Sequence, residues 1–167
     1  GRLADRSNAN NLVRYFCLQD VGQIAKVATQ INELNKERKK LTSTAIESSG
    51  EVEKIGHIHL LVDESLHEGI IGLVAGRLVN ELQEPVLVLT NSENGYKGSG
   101  RSPDGFDIHA FFQSLEEYLL AFGGHKNACG LEVSNEQFSE FLSAIEKQSK
   151  TFQFTADITE SKTVELA

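Results

Sequence analysis

Two stretches of the chain combine glycines with side chains that bind anions: Lys97-Gly98-Ser99-Gly100-Arg101-Ser102 and Gly123-Gly124-His125-Lys126-Asn127-Ala128-Cys129-Gly130. A guanidinium such as that of Arg101 grips a phosphate or carboxylate through two parallel hydrogen bonds, which lysine cannot reproduce. The Ser99 hydroxyl can donate to an anionic oxygen. Glycines such as Gly98, Gly100, Gly123 and Gly124 admit positive φ, where successive N–H groups can turn inward and form an anion-attracting concavity. His125, following two glycines, offers a proton near neutral pH. The chemistry expected is recognition of an anion, phosphate above all, with His125 as the group able to stabilise developing charge. His67 precedes a predicted helix start, where dipole and free N–H groups also favour a phosphate.

The sequence GSGRSPDGFDIH (residues 98–109) together with GGHKNACG (123–130) resembles the two signature loops of the DHH-associated domain in RecJ-type single-strand-specific DNA exonucleases. HEGIIGLVAGRL (67–78) is similar to that family's His-x-Gly-x-x-Gly-x-x-Ala-x-Arg-Leu helix, and Gly1-Arg2 resembles the end of its Ala-Gly-Arg segment. The resemblance implies that Ser99, Gly100 and Arg101 hold the phosphate at the 5′ end of a DNA strand, helped by Arg2 and His67. It implies that Gly123 and Gly124 bring backbone close to the substrate and that His125 acts on the scissile phosphate as the catalytic member. It further implies single-stranded DNA as partner, a role in DNA repair and recombination alongside other repair or replication proteins, and Mn2+ or Mg2+ in the full-length enzyme. The family's metal centre comes from an Asp-His-His motif in a first lobe; this chain contains no such motif, and no metal ligand set is expected within it. The expectation is therefore the substrate-gripping part of an exonuclease, inactive alone. Two alternatives stay open: a related phosphoesterase for short oligonucleotides, cyclic dinucleotides or nucleoside bisphosphates, and a noncatalytic replisome or scaffold relative.

The bulk composition sets limits on these readings. The formal net charge is −8, whereas nucleic-acid binders draw affinity from Lys and Arg that release counterions. Even around the two motifs, Lys97, Arg101 and Lys126 stand among Asp104, Asp107, Glu116 and Glu117. Binding must then rest on a few aimed groups, with basic surface supplied elsewhere in a longer protein; the start at Gly1 and the lack of Met point to a longer protein too. Cys17 and Cys129 stand far apart with no CxxC pairing and read as reduced thiols in a cytoplasmic protein. No apolar run reaches the roughly 20 residues of a membrane span. His57 and His59 alternate on a strand and are expected on its solvent side, and His109 is expected to be structural.

The elements that must position the motifs follow from periodicity. Apolar residues at Leu12, Val13, Tyr15 and Phe16 predict a first helix. Asp20 is an N-cap, and Ile24, Val27, Ile31, Leu34, Leu41 and Ala45 predict a long amphipathic helix to about Ser48. It reads as a connector about 40 Å long, its basic run at 36–40 a solvated face. Residues 1–49 are accordingly assigned to the tail of a first lobe plus connector, 50–160 to a DHH-associated domain, and 161–167 to a tail. Within the domain, Ile58–Asp63, a helix over 70–82 with small residues Gly72, Ala75 and Gly76, and Val86–Leu89 predict a βαβ unit. Asn94-Gly95 predicts a hairpin returning along 95–101, leaving GSGRS where the strand quits the sheet. Short helices capped by Asp107 or Ser114 are expected to run to about Phe122 and to end on Gly123-Gly124. A strand over 129–133, a helix started by the Ser134/Gln137 capping box, and an alternating strand at Phe152, Phe154, Ala156 and Ile158 complete the prediction. The fold class expected is α/β: a mixed, mostly parallel sheet flanked by helices and preceded by a long connector helix.

Overall fold

The computed structural model describes residues 9–48 and 50–152. Arg2 and the predicted strand beyond Phe152 lie outside the described residues. Helix α1 (Ala9–Phe16) leads into α2 (Val21–Ser48), whose start is fixed by the Asp20 carboxylate accepting the Gln23 N–H at 2.7 Å. Along α2 the stripe Ile24, Val27, Ile31 and Leu34 is half-buried, and burial is complete at Ala45, near the helix's end. There α2 meets the helix of the βαβ unit.

A six-stranded mixed sheet carries the rest, in the order β1-β2-β3-β4-β6-β5. Its strands are β1 (Glu53–Ile55), β2 (Ile58–Val62), β3 (Val86–Ser92), β4 (Gly95–Arg101), β5 (Ala121–His125) and β6 (Ala128–Ser134). Between them run α3 (Ile71–Leu82), α4 (Ile108–Gln113), a 3₁₀ turn at Glu116–Tyr118, and finally α5 (Phe138–Ser149). The βαβ unit is β2-α3-β3, with β2 and β3 parallel. Every other neighbouring pair is antiparallel, so the expected predominance of parallel pairing is corrected. The reason is local: β1–β2, β3–β4 and β5–β6 are joined by short hairpin connections, and β5, which returns from α4 in the same sense as β4, lies at the edge with β6 between them antiparallel to both.

Alternation along the strands sorts the core into two layers. One face buries Leu60, Leu87, Leu89, Leu131 and Val133 under α4 and α5, whose Phe111, Phe112, Phe141 and Ile145 fill the space. Phe152 closes this layer, its ring 5.3 Å from Phe106 and 5.2 Å from Phe111. The other face buries Leu61, Val86 and Val88 under Ile71, Val74, Ala75 and Leu78 of α3. Since α3 packs on β3 and β4, the β6 and β5 end of this second face has no helix over it among the described residues.

Local signals explain most boundaries. The Asp107 carboxylate caps α4 by accepting the Ala110 N–H at 2.8 Å, and the Ser134 hydroxyl accepts the Gln137 N–H at 3.2 Å ahead of α5. The β3–β4 hairpin pairs Ser92 with Gly95, so its loop residues are Glu93 and Asn94 and Gly95 already belongs to the strand. Strand β1 has no counterpart in the sequence-based expectation; it folds back on β2 through Gly56, which adopts φ 61°. His59 departs from its expected solvent position: it is half-buried and bonded to Glu84, which also pairs with Lys54, while His57 is exposed. His109 packs its ring 4.9 Å from that of Phe122.

Candidate functional site

The register of the sheet determines which of the candidate residues share a face. Ser99 pairs with Gly130, and Gly130 with Gly123. One rung along, Arg101 pairs with Ala128, and Ala128 with His125. One rung the other way, Lys97 pairs with Glu132, and Glu132 with Ala121. All nine therefore present side chains, where they have them, on the α3 side of the sheet, with Ser99 and Arg101 under the helix's first turn and the β6 and β5 residues beyond it. Neighbouring strands lie about 4.8 Å apart, which sets the Arg101 and His125 Cα atoms roughly 10 Å apart with Ala128 between them. His125 is exposed, Arg101 half-buried and Ser99 buried at 8% exposure.

The wall above Ser99 and Arg101 is the first turn of α3. A Cβ on Gly72 would stand 3.1 Å from both Ser99 Oγ and Arg101 Nη2, so the guanidinium lies beneath the helix start. That start is held by the preceding loop: Thr90 Oγ1 donates to the Leu66 carbonyl at 2.6 Å, and Asp63 accepts the Ser65 N–H at 2.9 Å. Arg101 Nη1 donates to the Gly100 carbonyl at 2.7 Å, which orients the fork. His67, exposed in the loop that leads into α3, accepts the Gly69 N–H on Nδ1 at 2.9 Å; in the neutral ring this leaves the proton on Nε2 as a donor. Lys97 donates to Glu68 at 2.7 Å. The bond from Lys97 holds the Glu68 carboxyl below its usual range, and the bond to Glu68 raises the Lys97 ammonium.

The tip of the β5–β6 hairpin is tied to the segment that follows Arg101. Ser102 N–H donates to the Asn127 carbonyl at 3.2 Å, Ile108 N–H to the Lys126 carbonyl at 3.0 Å, and Asn127 Nδ2 to Asp104 at 2.9 Å. Asn127 is thus a structural residue, and the two motifs are joined by these bonds.

The glycines do not play the parts the sequence suggests. Gly98 and Gly100 form no inward-turned nest: they lie in the extended ladder of central strand β4 and face the opposite layer. A Cβ on Gly98 would meet Leu131 and Leu89 at 2.7 Å, and one on Gly100 would meet Cys129 Sγ at 2.7 Å. Gly100 therefore serves the core, with its carbonyl turned to account by Arg101. Gly123 and Gly124 do not end a helix either; they belong to edge strand β5, paired with Gly130 and Cys129. Gly124 has φ 154°, and a Cβ there would stand 2.3 Å from the Ala128 carbonyl oxygen. Gly123 is different: a Cβ would meet nothing within 4 Å. Gly130, to which the motif alone assigns no part, likewise is exposed and would bring a Cβ no nearer than 3.9 Å to the Gly98 carbonyl oxygen. The floor between Ser99 and His125 is thus bare backbone and methyl groups, with no packing reason to be so. The signal that could have found Gly130 is its place at the close of GGHKNACG, one rung partner from each motif.

Among the described residues no three His, Cys, Asp or Glu side chains converge to hold a metal ion. The donor set present does not fit a divalent metal. Cys129, the thiol nearest the site, is buried, and burial pushes its pKa to about 12. No described helix is long and apolar enough to cross a membrane.

A six-stranded mixed sheet with helices on both faces defines an α/β domain, and the two glycine-bearing motifs meet on one of its faces. The DHHA1 domain pattern matches residues 52–151, and the chain belongs to that family. It is 30% identical over 143 residues to the single-stranded-DNA-specific exonuclease RecJ of Bacillus subtilis (strain 168), covering 82% of this chain and 18% of the relative. It is 28% identical over 154 residues to the RecJ of Escherichia coli (strain K12), covering 84% and 26%. The chain thus spans about a fifth to a quarter of the length of these relatives. Crystal structures of RecJ from Thermus thermophilus in complex with Mg2+ and with Mn2+ superpose with a TM-score of 0.78 at 24% identity, over 92% of this chain and 24% of theirs. The mixed sheet with flanking helices is shared with those structures.

Proposed function

We propose that this chain is the substrate-binding part of a RecJ-like exonuclease that removes nucleotides from the 5′ end of single-stranded DNA in cytoplasmic repair and recombination. The observation that carries the reading is that Ser99, Arg101 and His125 lie on one face of the sheet, the first two under the start of α3 and the last exposed, with a floor between them free of bulky side chains. Arg101, beneath the start of α3, takes the terminal phosphate through its fork, and the Ser99 hydroxyl donates to the same group. His125 approaches from the far side of the shelf and hydrogen-bonds the next, scissile phosphate. His67 contributes its Nε2–H at the entrance, and Arg2 joins from the preceding segment. Gly123 and Gly130 leave room for the sugar and base to lie against the sheet. Hydrolysis needs Mg2+ or Mn2+, which a lobe outside this chain supplies; the residues here bind and orient.

Two measurements test this. Arg101→Ala is expected to weaken binding of a 5′-phosphorylated oligonucleotide by about 1.5–3 kcal/mol, as for a lost hydrogen bond to a charged group; equal affinity in the two proteins removes Arg101 from the site. The wild-type chain incubated with manganese and single-stranded DNA is expected to leave the strand intact, and shortening of the strand overturns the division of labour. A second reading, a phosphoesterase for short oligonucleotides, gains from the pairing of Lys97 with Glu68, which leaves a long backbone no cation at that end of the shelf for as long as the pair stays closed. Tighter binding of a dinucleotide than of a longer strand would favour it.

A further inference from the structure

Lys97 stands on the same face and strand as Ser99 and Arg101, two rungs from the latter, about 14 Å along β4. Nothing in the core requires it there: its side chain is 47% exposed and that of its partner Glu68 57% exposed. An ion pair so open to water adds little to stability and is readily exchanged. At this end the shelf opens into a cleft of about 530 Å3 bordered by three carboxylates, Glu68, Glu93 and Glu132, by Asn91, Ser92 and Asn94, and by Lys97. Glu132 is itself engaged, accepting from Ser92 Oγ at 3.1 Å. Among the described residues Lys97 is the one cation bordering this cleft, and its counter-ion comes from the loop that carries His67 into α3.

We propose that Lys97 is a second phosphate-binding residue of the shelf, engaged by an internal phosphate of a strand, and that Glu68 holds it in reserve as an exchangeable counter-ion. The proposal rests on the reading of the shelf as a nucleic-acid site and specifies its length discrimination. A 5′-mononucleotide spans the Arg101 end and leaves the Lys97–Glu68 pair closed. A longer strand that passes from Arg101 to His125 and then turns along the shelf toward Lys97 reaches the cleft, where an internal phosphate displaces the Glu68 carboxylate. The acidic border of the cleft then excludes phosphates placed anywhere but at Lys97, so contact depends on register along the strand.

The test uses the 167-residue chain, thymidine 5′-monophosphate, and a 5′-phosphorylated oligothymidylate of about six nucleotides. Lys97→Met is expected to weaken oligonucleotide binding about 5–10-fold and to lower the salt slope by about 0.7, the value for one phosphate contact on a single strand. Lys97→Arg is expected to retain the affinity, Glu68→Gln to tighten it about 2–5-fold, and all three to bind the mononucleotide as wild type does. Unchanged oligonucleotide affinity in Lys97→Met, with Arg101→Ala still weakened, overturns the proposal and leaves the terminal-phosphate reading standing. Equal loss for mononucleotide and oligonucleotide in Lys97→Met overturns it too, by placing Lys97 at the terminal phosphate. Unchanged or weaker binding in Glu68→Gln removes the counter-ion role, and wild-type chain that binds neither probe overturns both readings.

Discussion

The two faces of the sheet use the same residue type for opposite ends. On the α4/α5 face, Gly98 and Gly100 are glycines because Leu89, Leu131 and Cys129 already occupy the space a side chain would need. On the α3 face, Gly123 and Gly130 have open space above them. Packing explains the first pair and leaves the second unexplained, since a strand glycine surrenders about 0.5–1 kcal/mol relative to alanine. A residue that weakens its strand and relieves no clash points to an occupant the chain does not itself provide. This contrast, more than the presence of glycine, is what supports the proposed binding shelf.

The contrast can be broken in several ways. Gly124 is paired with Cys129 and belongs by register to the packed face. With its positive φ and the 2.3 Å approach to the Ala128 carbonyl, Gly124→Ala is expected to destabilise the chain by about 3–4 kcal/mol, measured as a lowered urea midpoint. Gly123→Ala, its immediate neighbour, is expected to leave stability unchanged or raised by up to about 1 kcal/mol while weakening binding of a 5′-phosphorylated oligonucleotide. If Gly123→Ala unfolds the chain as Gly124→Ala does, the distinction between the faces is lost. The smallest effect concerns the thiols. With its pKa at about 12 and its side chain buried, Cys129 is expected to resist alkylation at pH 8 until the chain unfolds, whereas exposed Cys17 reacts in the native state. Labelling at both positions without denaturant would mean that the packed face opens readily.

Elements whose signals are local were legible in the sequence. The Asp20 cap and three-four spacing gave α2, the apolar runs around HEGIIGLVAGRL gave the βαβ unit, and Asn94-Gly95 located the β3–β4 hairpin. The two motifs were legible as a functional pair, but their geometry was not. Paired glycines can signal a helix end or a flat strand, and the alternatives differ only in what lies alongside. Gly123-Gly124 sits in a strand because β6 pairs with it, a partner that lies after the hairpin and sends no signal to the preceding residues. GSGRS was expected at the far end of the returning strand where it quits the sheet; it does end that strand, but β3 and β6 flank it on both sides up to Arg101. The direction of β4 came from its hairpin turn, but that of β6 was beyond periodicity, which reports burial and not strand sense. Strand β1 escaped notice because three residues are too few to show alternation.

The position of β4 in the middle of the sheet has a consequence for motion. Its amides are bonded into ladders on both sides, so Ser99 and Arg101 move with the global opening of the fold, while β5, bonded on one side, can fray and reclose many times in the interval. Hydrogen exchange is therefore expected to protect the β4 amides longest and those of β5 least, apart from the hairpin tip next to His125, which Ser102, Asp104 and Ile108 hold.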